Sequence, residues 1–248
     1  MVLATALPIK TIDAVLDEFS PVRRVVVVAP HPDDETLGCG GAIAHFRQHN
    51  IRVQVLIMSD GTRSHPNSRH FPANELRKLR ESEANEALKI LGVSGDSVTF
   101  LRWQDTAVPH PCCSLEERKF ATAVEQCDLY LKTCSPDLIF LPWQHDQHCD
   151  HQATWRIVQH CLQSWSQLPR QLVYSIWGDR AAGLASLPAG ETGWRLDIRS
   201  VESLKRQAAL AHRSQTTNLI DDDPTGFRLT PEMLNNLIQP YETYLEVS

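Results

Sequence analysis

One unbroken apolar run, Val25–Ala29 (VVVVA), ends abruptly in the polar sequence PHPDDETLGCGG. Consecutive β-branched residues without alternation predict a strand that is buried on both faces, as in the interior of a parallel sheet. A histidine and three carboxylates follow this strand within five positions: His31, Asp33, Asp34 and Glu35. In open α/β sheets, ligands bind outside the carboxyl ends of the strands. The sequence therefore predicts a ligand site at the end of this strand.

A second polar cluster follows another apolar strand, Leu138–Pro142. It reads HDQHCDH over residues 145–151 and holds three histidines and two aspartates in seven positions. Histidine and carboxylate together are ligands of borderline divalent metals, and zinc is the usual one. Cys149 lies in the same cluster, but its neighbouring histidines already supply better-supported donors. The two clusters together indicate a metal site.

Apolar strands alternate with amphipathic helices along most of the chain. The predicted strands start with the run at Val25 and continue at Arg52–Ser59, Val98–Trp103, Leu138–Pro142 and Gln171–Trp177; the predicted helices are Leu37–Gln48, Asn74–Leu91, Leu115–Cys134, 148–165 and Val201–Arg213. This alternation is typical of an α/β, Rossmann-like sandwich with a mostly parallel sheet flanked by helices. In the common strand order 3-2-1-4-5, strands one and four are neighbours, and ligands bind between them. Both polar clusters follow those two strands, so we expect them to converge on one crevice.

No linker divides the chain, which is predicted to form a single domain over residues 1–248. The flanking segments are an N-terminal arm or helix within 1–20 (Leu3–Phe19), a short peripheral strand at Trp194–Ile198, and a C-terminal extension, 215–248, with a final helix at Pro231–Tyr244.

Three irregular or glycine-rich segments are predicted to serve the site. Thr62–Ala73 and Gln104–Ser114 have no apolar period and are long enough to be functional loops. The glycines of GCGG, residues 38–41, suit a close approach of the backbone to a bound group. The sequence DDDPTGF, residues 221–227, lacks the alternating ligands of a calcium-binding loop and is interpreted as a solvated turn.

The residue types in the two clusters predict metal-assisted hydrolysis. A catalytic zinc takes three protein ligands and leaves one position for water or substrate, and His31, Asp34 and His151 supply such a set. Neighbouring side chains diverge, so Asp33 is expected to face the water and take its proton. His148 is expected to hydrogen-bond an oxyanion or to protonate the leaving amine.

Composition narrows the choice of partner and location. A formal charge of −6 and the absence of a basic run argue against nucleic acid or an anionic membrane as partner. No basic leader with an apolar core begins the sequence, and no segment approaches the roughly 18 apolar residues of a membrane helix. Seven cysteines without regular spacing indicate reduced thiols, and we expect a cytoplasmic protein.

The sequences APHPDDETLGCGG and HCDH resemble the two motifs of the PIG-L/LmbE-like zinc-dependent N-deacetylases, within a similarity that spans roughly residues 25–220. The resemblance implies an LmbE-like fold and removal of an acetyl group from an N-acetylglucosamine-type amino sugar or its conjugate. By resemblance, the ligands of Zn²⁺ or another divalent transition metal are His31, Asp34 and His151, the general base is Asp33, the oxyanion-stabilising residue is His148, and Asp150 orients His148. Relatives are often trimers or hexamers, which implies a homo-oligomer.

Four further residues are predicted to bind substrate. The helix pattern RxxExxxAxxxLGV matches a family region whose arginine contacts substrate, and this implies the role for Arg80. Arg63 and Asp105, in the two irregular loops, offer groups for sugar hydroxyls. Trp143 adjoins the second cluster and could stack on a sugar ring.

Two alternatives remain open from the sequence. The same metal chemistry would serve a non-sugar amide, because nothing in the composition excludes one. A non-catalytic metal- or nucleotide-binding module is disfavoured, since GCGG is not GxGxxG and the acids before it would repel a pyrophosphate.

Overall fold

A mostly parallel sheet lies at the centre of the structure, a computed structural model that describes residues 7–111, 114–177 and 192–247. In chain order the strands are β1 (Ile9–Lys10), β2 (Arg24–Ala29), β3 (Arg52–Ser59), β4 (Val98–Trp103), β5 (Leu138–Pro142), β6 (Arg170–Tyr174), β7 (Thr192–Asp197) and β8 (Tyr241–Glu246). The helices are α1 (Ile12–Glu18), α2 (Asp34–Gln48), α3 (Ala73–Ile90), α4 (Ser114–Cys134), α5 (Cys149–Leu162), α6 (Glu202–Ala211), α7 (Arg213–Thr216) and α8 (Pro231–Leu237), with a 3-10 turn at Gly95–Ser97.

The strands lie in the order β1-β7-β8-β6-β5-β2-β3-β4. The five strands from β4 to β6 in that order are mutually parallel, so the predicted order 3-2-1-4-5 is confirmed, with three more strands added beside β6. Val25 of β2 lies opposite Leu138 of β5. Because β2 and β5 are adjacent and parallel, their carboxyl ends open side by side, and the two polar clusters meet at one edge of the sheet.

The valine run is buried on both faces of the sheet, as predicted. Val25 and Val27 belong to the core on one face, and Val26 and Val28 to the core on the other. Helices α2, α3 and α6 contribute to the first core, and α4 and α5 to the second. The molecule is therefore layered as helices, sheet and helices, which confirms the predicted α/β sandwich.

The prediction of a helix over Pro231–Tyr244 is wrong beyond Leu237. Pro240 and the alternating sequence YETYLE end the helix and form β8, which lies between β6 and β7 and is antiparallel to both. Alternation at a period of two favours a strand, and Tyr244 is wholly buried in it. The C-terminal segment is thus part of the central sheet.

The glycines of α2 serve packing instead of the approach to a ligand that the sequence suggested. A Cβ on Gly38 would lie 2.3 Å from the ring of Tyr174, and one on Gly41 would lie 2.5 Å from Ile198. The missing side chains therefore let α2 press against the end of β6 and the segment after β7.

The predictions for the flanking segments hold in part. The predicted arm or helix Leu3–Phe19 contains β1 and the shorter α1, and its first residues lie outside the described ones. The strand predicted at Trp194–Ile198 is β7, but it lies inside the sheet between β1 and β8 and is not peripheral. The predicted helix Val201–Arg213 is divided into α6 and α7 at His212. Within the described ranges, no helix has the length and apolar character that crossing a bilayer requires.

Candidate metal centre and active site

Three predicted metal ligands meet where β2 and β5 end. Asp34 Oδ2 lies 3.0 Å from His31 Nδ1 and 3.2 Å from His151 Nε2. His31 and Asp34 follow β2, whereas His151 lies in the first turn of α5, which follows β5. All three side chains are buried, and that of His151 is wholly inaccessible. The pairing of β2 with β5 thus brings together residues that are far apart in sequence.

The buried ring of His151 tests whether a metal fits. Neither of its nitrogens makes a hydrogen bond of acceptable geometry, although carboxylates lie near both. A wholly buried imidazole without hydrogen bonds is costly unless another partner satisfies it. Two imidazoles and one carboxylate are a ligand set that zinc accepts. His31, Asp34 and His151 therefore fit a divalent transition ion.

Nearby charges work against burial at both His151 and Asp34. Burial opposes protonation of His151, but the charges of Asp34 and Asp146 raise its pKa to about 9. Burial likewise opposes ionisation of Asp34, and the two histidines nevertheless hold its pKa well below the usual range. A metal ion would take the place of these protons, so its binding releases protons to solution.

Asp33 is held in a strained backbone conformation by its neighbours. Its φ is +151°, a value that non-glycine residues adopt at a cost and that concentrates at functional sites. Its N–H donates to Glu35 Oε2 at 3.0 Å, and Arg80 Nη2 donates to its carboxylate at 2.9 Å. Burial raises the pKa of Asp33 to about 6, against the opposing charge of Arg80.

His148 borders the three ligands and is half-buried. Its ring centroid lies 4.5 Å from that of His31 and 5.3 Å from that of His151. These three histidines each place a nitrogen within 4.8 Å of the others, so His148 could also reach a shared ion. Its Nδ1 accepts the backbone N–H of Asp150 at 3.2 Å. The neutral ring therefore carries its proton on Nε2, as a donor to an oxyanion requires.

The carboxylate of Asp150 does not have its predicted role toward His148. It accepts the N–H groups of Thr106 and Val108 at 2.7 and 3.1 Å, and it lies 3.2 Å from His31 Nε2. Only the backbone of Asp150 orients His148, through the bond to Nδ1. The reason is that Asp150 lies in the first turn of α5, where its side chain reaches the loop after β4.

Asp105 also faces His31 instead of a sugar-binding surface. Its Oδ1 lies 3.3 Å from His31 Nε2, and its Oδ2 accepts the N–H of Arg63 at 2.8 Å. Burial opposes ionisation, but the hydrogen bond to His31 lowers the pKa of Asp105 to about 2. Asp105 therefore contacts a predicted metal ligand, and its predicted role in binding substrate hydroxyls stays a prediction.

Arg80 is buried behind Asp33, where the sequence predicted a substrate contact. The guanidinium donates to the carbonyls of Gly61 and Pro32, each at 2.8 Å, as well as to Asp33. Only 3% of the residue is exposed. These contacts fix the backbone before Asp33 and the carboxylate itself, and the predicted substrate contact of Arg80 stays a prediction.

The other two predicted substrate residues differ in exposure. Arg63 is exposed at the rim of the site, where its backbone is tied to Asp105. Trp143 is partly buried against the core beneath α4 and α5, and its ring meets that of His145 edge-on at 5.3 Å. Arg63 keeps access to a ligand, whereas much of the Trp143 ring is committed to packing.

Residues 221–227, DDDPTGF, hold the loop after β3 in place. Asp222 accepts the hydroxyl of Ser68 and the N–H groups of Arg69 and His70 at 2.7 to 2.9 Å. Asp223 accepts the N–H of Asn67 at 2.8 Å. The predicted solvated turn is therefore bound to the loop after β3 by side-chain hydrogen bonds.

Sequence reasoning assigned no role to two buried acids of the site. Asp146 lies 3.4 Å from His151 Nδ1 through its Oδ2, and Glu35 accepts the N–H of Asp33. Both stand within the two clusters that the sequence singles out. The sequence does contain a signal for them, because the two clusters hold more carboxylates than one metal site and one general base require.

Comparison with known proteins agrees with this geometry. The family model described as PIG-L, GlcNAc-PI de-N-acetylase, matches residues 26–162. A curated relative, the probable N-acetyl-alpha-D-glucosaminyl L-malate deacetylase 2 of Bacillus subtilis (strain 168), is 29% identical over 204 residues. That match covers 80% of this chain and 86% of the relative.

Solved structures share the fold. The N,N'-diacetylchitobiose deacetylase from Pyrococcus horikoshii is similar with a TM-score of 0.69 and 19% identity, over 92% of this chain and 85% of that one. A 4-carboxy-2-hydroxymuconate hydratase from Pseudomonas putida KT2440 is similar with a TM-score of 0.59 and 19% identity, over 76% and 78%. Because a deacetylase and a hydratase share this architecture, the likeness shows the fold alone. The family model, however, matches more than half of the 248 residues and includes both polar clusters, and the chain belongs to the PIG-L family, that of GlcNAc-PI de-N-acetylase.

Proposed function

We propose that the protein is a metal-dependent hydrolase that removes the acetyl group from an N-acetylglucosamine-type amino sugar or its conjugate. The observation that carries the proposal is the convergence of the Asp33 carboxylate and the His148 ring on a buried set of metal ligands. The family match and the names of the relatives support the same reaction.

The metal that we propose is Zn²⁺, with another divalent transition ion as the alternative, held by His31, Asp34 and His151. Two imidazole nitrogens and one carboxylate oxygen leave a position open, as in catalytic zinc sites. When bound, the ion supplies Lewis-acid polarisation of the acetamide carbonyl and of the attacking water.

The chain's own residues provide the proton transfers and the charge stabilisation. Asp33 takes a proton from the water as the water oxygen attacks the acetamide carbon. His148 donates its Nε2–H to the carbonyl oxygen as negative charge develops there. When the C–N bond breaks, the proton held by Asp33 passes to the amine nitrogen. One acetamide and one water thus give acetate and a free amine.

The amino-sugar substrate is inferred from the relatives. One is named for an N-acetylglucosaminyl malate and the other for diacetylchitobiose, and both substrates present an N-acetylated sugar. The exposure of Arg63 supports a contact with a group attached to that sugar. Substrate contacts for Arg63 and Trp143 stay predictions.

Location and assembly are also proposals. The described cysteines are free thiols, four of them buried, which supports a cytoplasmic location. A trimer or hexamer is proposed from the resemblance to the family alone.

Acetate release from a panel of N-acetylglucosamine conjugates and simple acetamides tests the function, with zinc-loaded wild type and Asp33→Asn measured together. We expect release from a sugar conjugate and a loss of about 10² to 10⁴-fold in kcat in the variant, the range typical of a general base. The variant should retain one metal per chain. Release from non-sugar amides alone would overturn the substrate class, and loss of metal from the variant would make Asp33 a ligand.

A further inference from the structure

Asp146 is a fully buried acid beside the candidate metal centre to which the proposed reaction gives no part. It lies between β5 and α5, five residues before His151, and none of its surface is exposed. A buried carboxylate is stable only when several donors satisfy it. Its partners therefore show what it holds in place.

The carboxylate of Asp146 is fixed by backbone donors. Its Oδ2 accepts the N–H groups of Ile176 and Trp177, each at 3.1 Å, and its Oδ1 accepts the N–H of His148 at 3.2 Å. These bonds join the start of α5 to the segment after β6. The position of the carboxylate is thus determined by the backbone and does not depend on the ring of His151.

The ring of His151 is placed between two carboxylates. Its Nδ1 lies 3.4 Å from Asp146 Oδ2, and its Nε2 lies 3.2 Å from Asp34 Oδ2, although neither contact has hydrogen-bond angles in this structure. A neutral imidazole has one N–H and one lone pair. If Asp146 accepts the Nδ1 proton, the lone pair stands on Nε2, beside the other candidate ligands. A carboxylate behind a ligating histidine fixes its tautomer and orientation in this way.

We propose that Asp146 is a positioning residue that selects the Nε2-ligating tautomer of His151 and, through the backbone of His148, also places the oxyanion donor. The proposal rests on the metal centre proposed above but not on the substrate. A failure to release acetate from any compound therefore leaves it standing.

Metal affinity of the Asp146→Asn variant provides the first test. The amide oxygen can still accept the N–H groups of Ile176 and Trp177, but the amide NH₂ cannot accept the N–H of His148, and the side chain lacks the negative charge that would hold the Nδ1 proton. Asp137→Asn is the matched control, because Asp137 accepts the N–H groups of Arg23 and Arg24 at the opposite edge of the sheet. Apo forms are titrated with Zn²⁺ in competition with a chelator, and the absorption spectra of the Co²⁺ forms are compared.

We expect Asp146→Asn to weaken metal binding about 10 to 100-fold, the range found when such partners are removed, and to shift the Co²⁺ spectrum. Asp137→Asn should change neither, although it too loses stability. Unchanged affinity and spectrum in folded Asp146→Asn would overturn the inference alone. Absence of metal binding by the wild type would overturn it together with the metal centre.

The tautomer in the wild-type protein provides a second test that needs no variant. Side-chain ¹⁵N chemical shifts of His151 in the zinc-loaded protein should show a protonated Nδ1 and a metal-bound Nε2. The reverse assignment would refute the proposed role of Asp146 even if Asp146→Asn fails to fold.

Discussion

Asp33 shows how a single residue is prepared for its task by side chains that never need to touch a substrate. Glu35 binds its N–H, and Arg80 binds both its carboxylate and the carbonyl before it. These bonds maintain a φ of +151°, which would otherwise relax. Proximity of a base to its water depends on such fixing, and a misplacement of about 1 Å can cost about 10²-fold in rate.

Arg80→Lys is expected to lower kcat by about 10²-fold with little change in KM. A lysine ammonium cannot reproduce the planar fork that reaches three oxygens at once, and the resulting misplacement of Asp33 reduces the rate. Steady-state kinetics and metal content are measured together, with Arg102→Lys as control because its guanidinium binds Glu81 at the surface. A rise in KM at constant kcat would instead support the substrate contact of Arg80 that the sequence predicted.

At the scale of elements, the site depends on how closely α2 approaches β6. Asp34 is the first residue of α2, and Gly38 follows one turn later against the ring of Tyr174. The hydroxyl of Tyr174 in turn donates to the carbonyl of Val28 in β2 at 2.8 Å. The helix that begins with the proposed metal ligand Asp34 is therefore packed against the same strands that precede the other proposed ligands.

Gly38→Ala is expected to destabilise the protein although alanine favours helices. The gain in helix propensity is about 1 kcal/mol, whereas overpacking at a Cβ distance of 2.3 Å from Tyr174 costs about 1 to 3 kcal/mol or more. Urea unfolding measures the balance. Gly95→Ala is the control, since its Cβ would meet Asn85 at an ordinary 3.7 Å. A more stable Gly38→Ala would show that α2 can shift freely.

The hydrogen bonds that Asp222 accepts from the loop after β3 are expected to contribute less to stability in acid. The hydroxyl of Ser68 and the N–H groups of His70 and Arg69 lower the pKa of Asp222 to about 2, compared with about 3.9 in an unfolded chain. Its contribution is complete above the unfolded pKa and is lost as the pH falls through the window between about 4 and 2.

The measurement is the difference in unfolding free energy between wild type and Asp222→Asn, at about pH 6 and again at about pH 3. The wild type should have the larger free energy of unfolding at the higher pH, and its advantage over the variant should be smaller at the lower pH. The exposed neighbour Asp221 provides the control, Asp221→Asn. A larger advantage of the wild type at about pH 3 than at about pH 6 would contradict the stabilising role of the ionised Asp222.

At the scale of the whole molecule, the sequence specifies the centre of the fold better than its margins. The valine run and the second apolar strand are recognisable as interior strands, because burial on both faces leaves an unbroken apolar run in the sequence. In the structure they are adjacent and parallel. The polar residues after them meet because parallel strands end at one edge. The alternation of YETYLE is a local signal for β8, but the place of this strand between β6 and β7 depends on distant partners.

Roles of individual side chains were harder to predict than their places. Asp105, Asp150 and Arg80 all lie at the predicted site, and each contacts another site residue that the sequence did not indicate. Sequence spacing gives the element on which a residue stands. Burial and the direction of the side chain depend on the packing of other elements, and no local pattern records them.

The last strand also completes an ion pair inside the molecule. Glu242 accepts Lys205 Nζ at 2.7 Å and the N–H groups of Gly41 and Ala42 in α2, and both charged side chains are buried. Glu242→Gln should cost about 3 to 5 kcal/mol because it leaves a buried ammonium without its counter-charge. Urea unfolding tests this, and Lys205→Met combined with Glu242→Gln should recover part of the loss. A single variant as stable as the wild type would show that water reaches Lys205.

The position of β8 also sets an order of events during synthesis of the chain. Among the strands that the structure describes, β7 and β1 join the rest of the sheet only through β8, which is the last of them to be synthesised. Until β8 emerges, the nascent sheet consists of two pieces, and α2 lacks the acid that binds its middle turn. We therefore expect α2, which begins with the predicted metal ligand Asp34, to reach its final packing only after β8 has been synthesised.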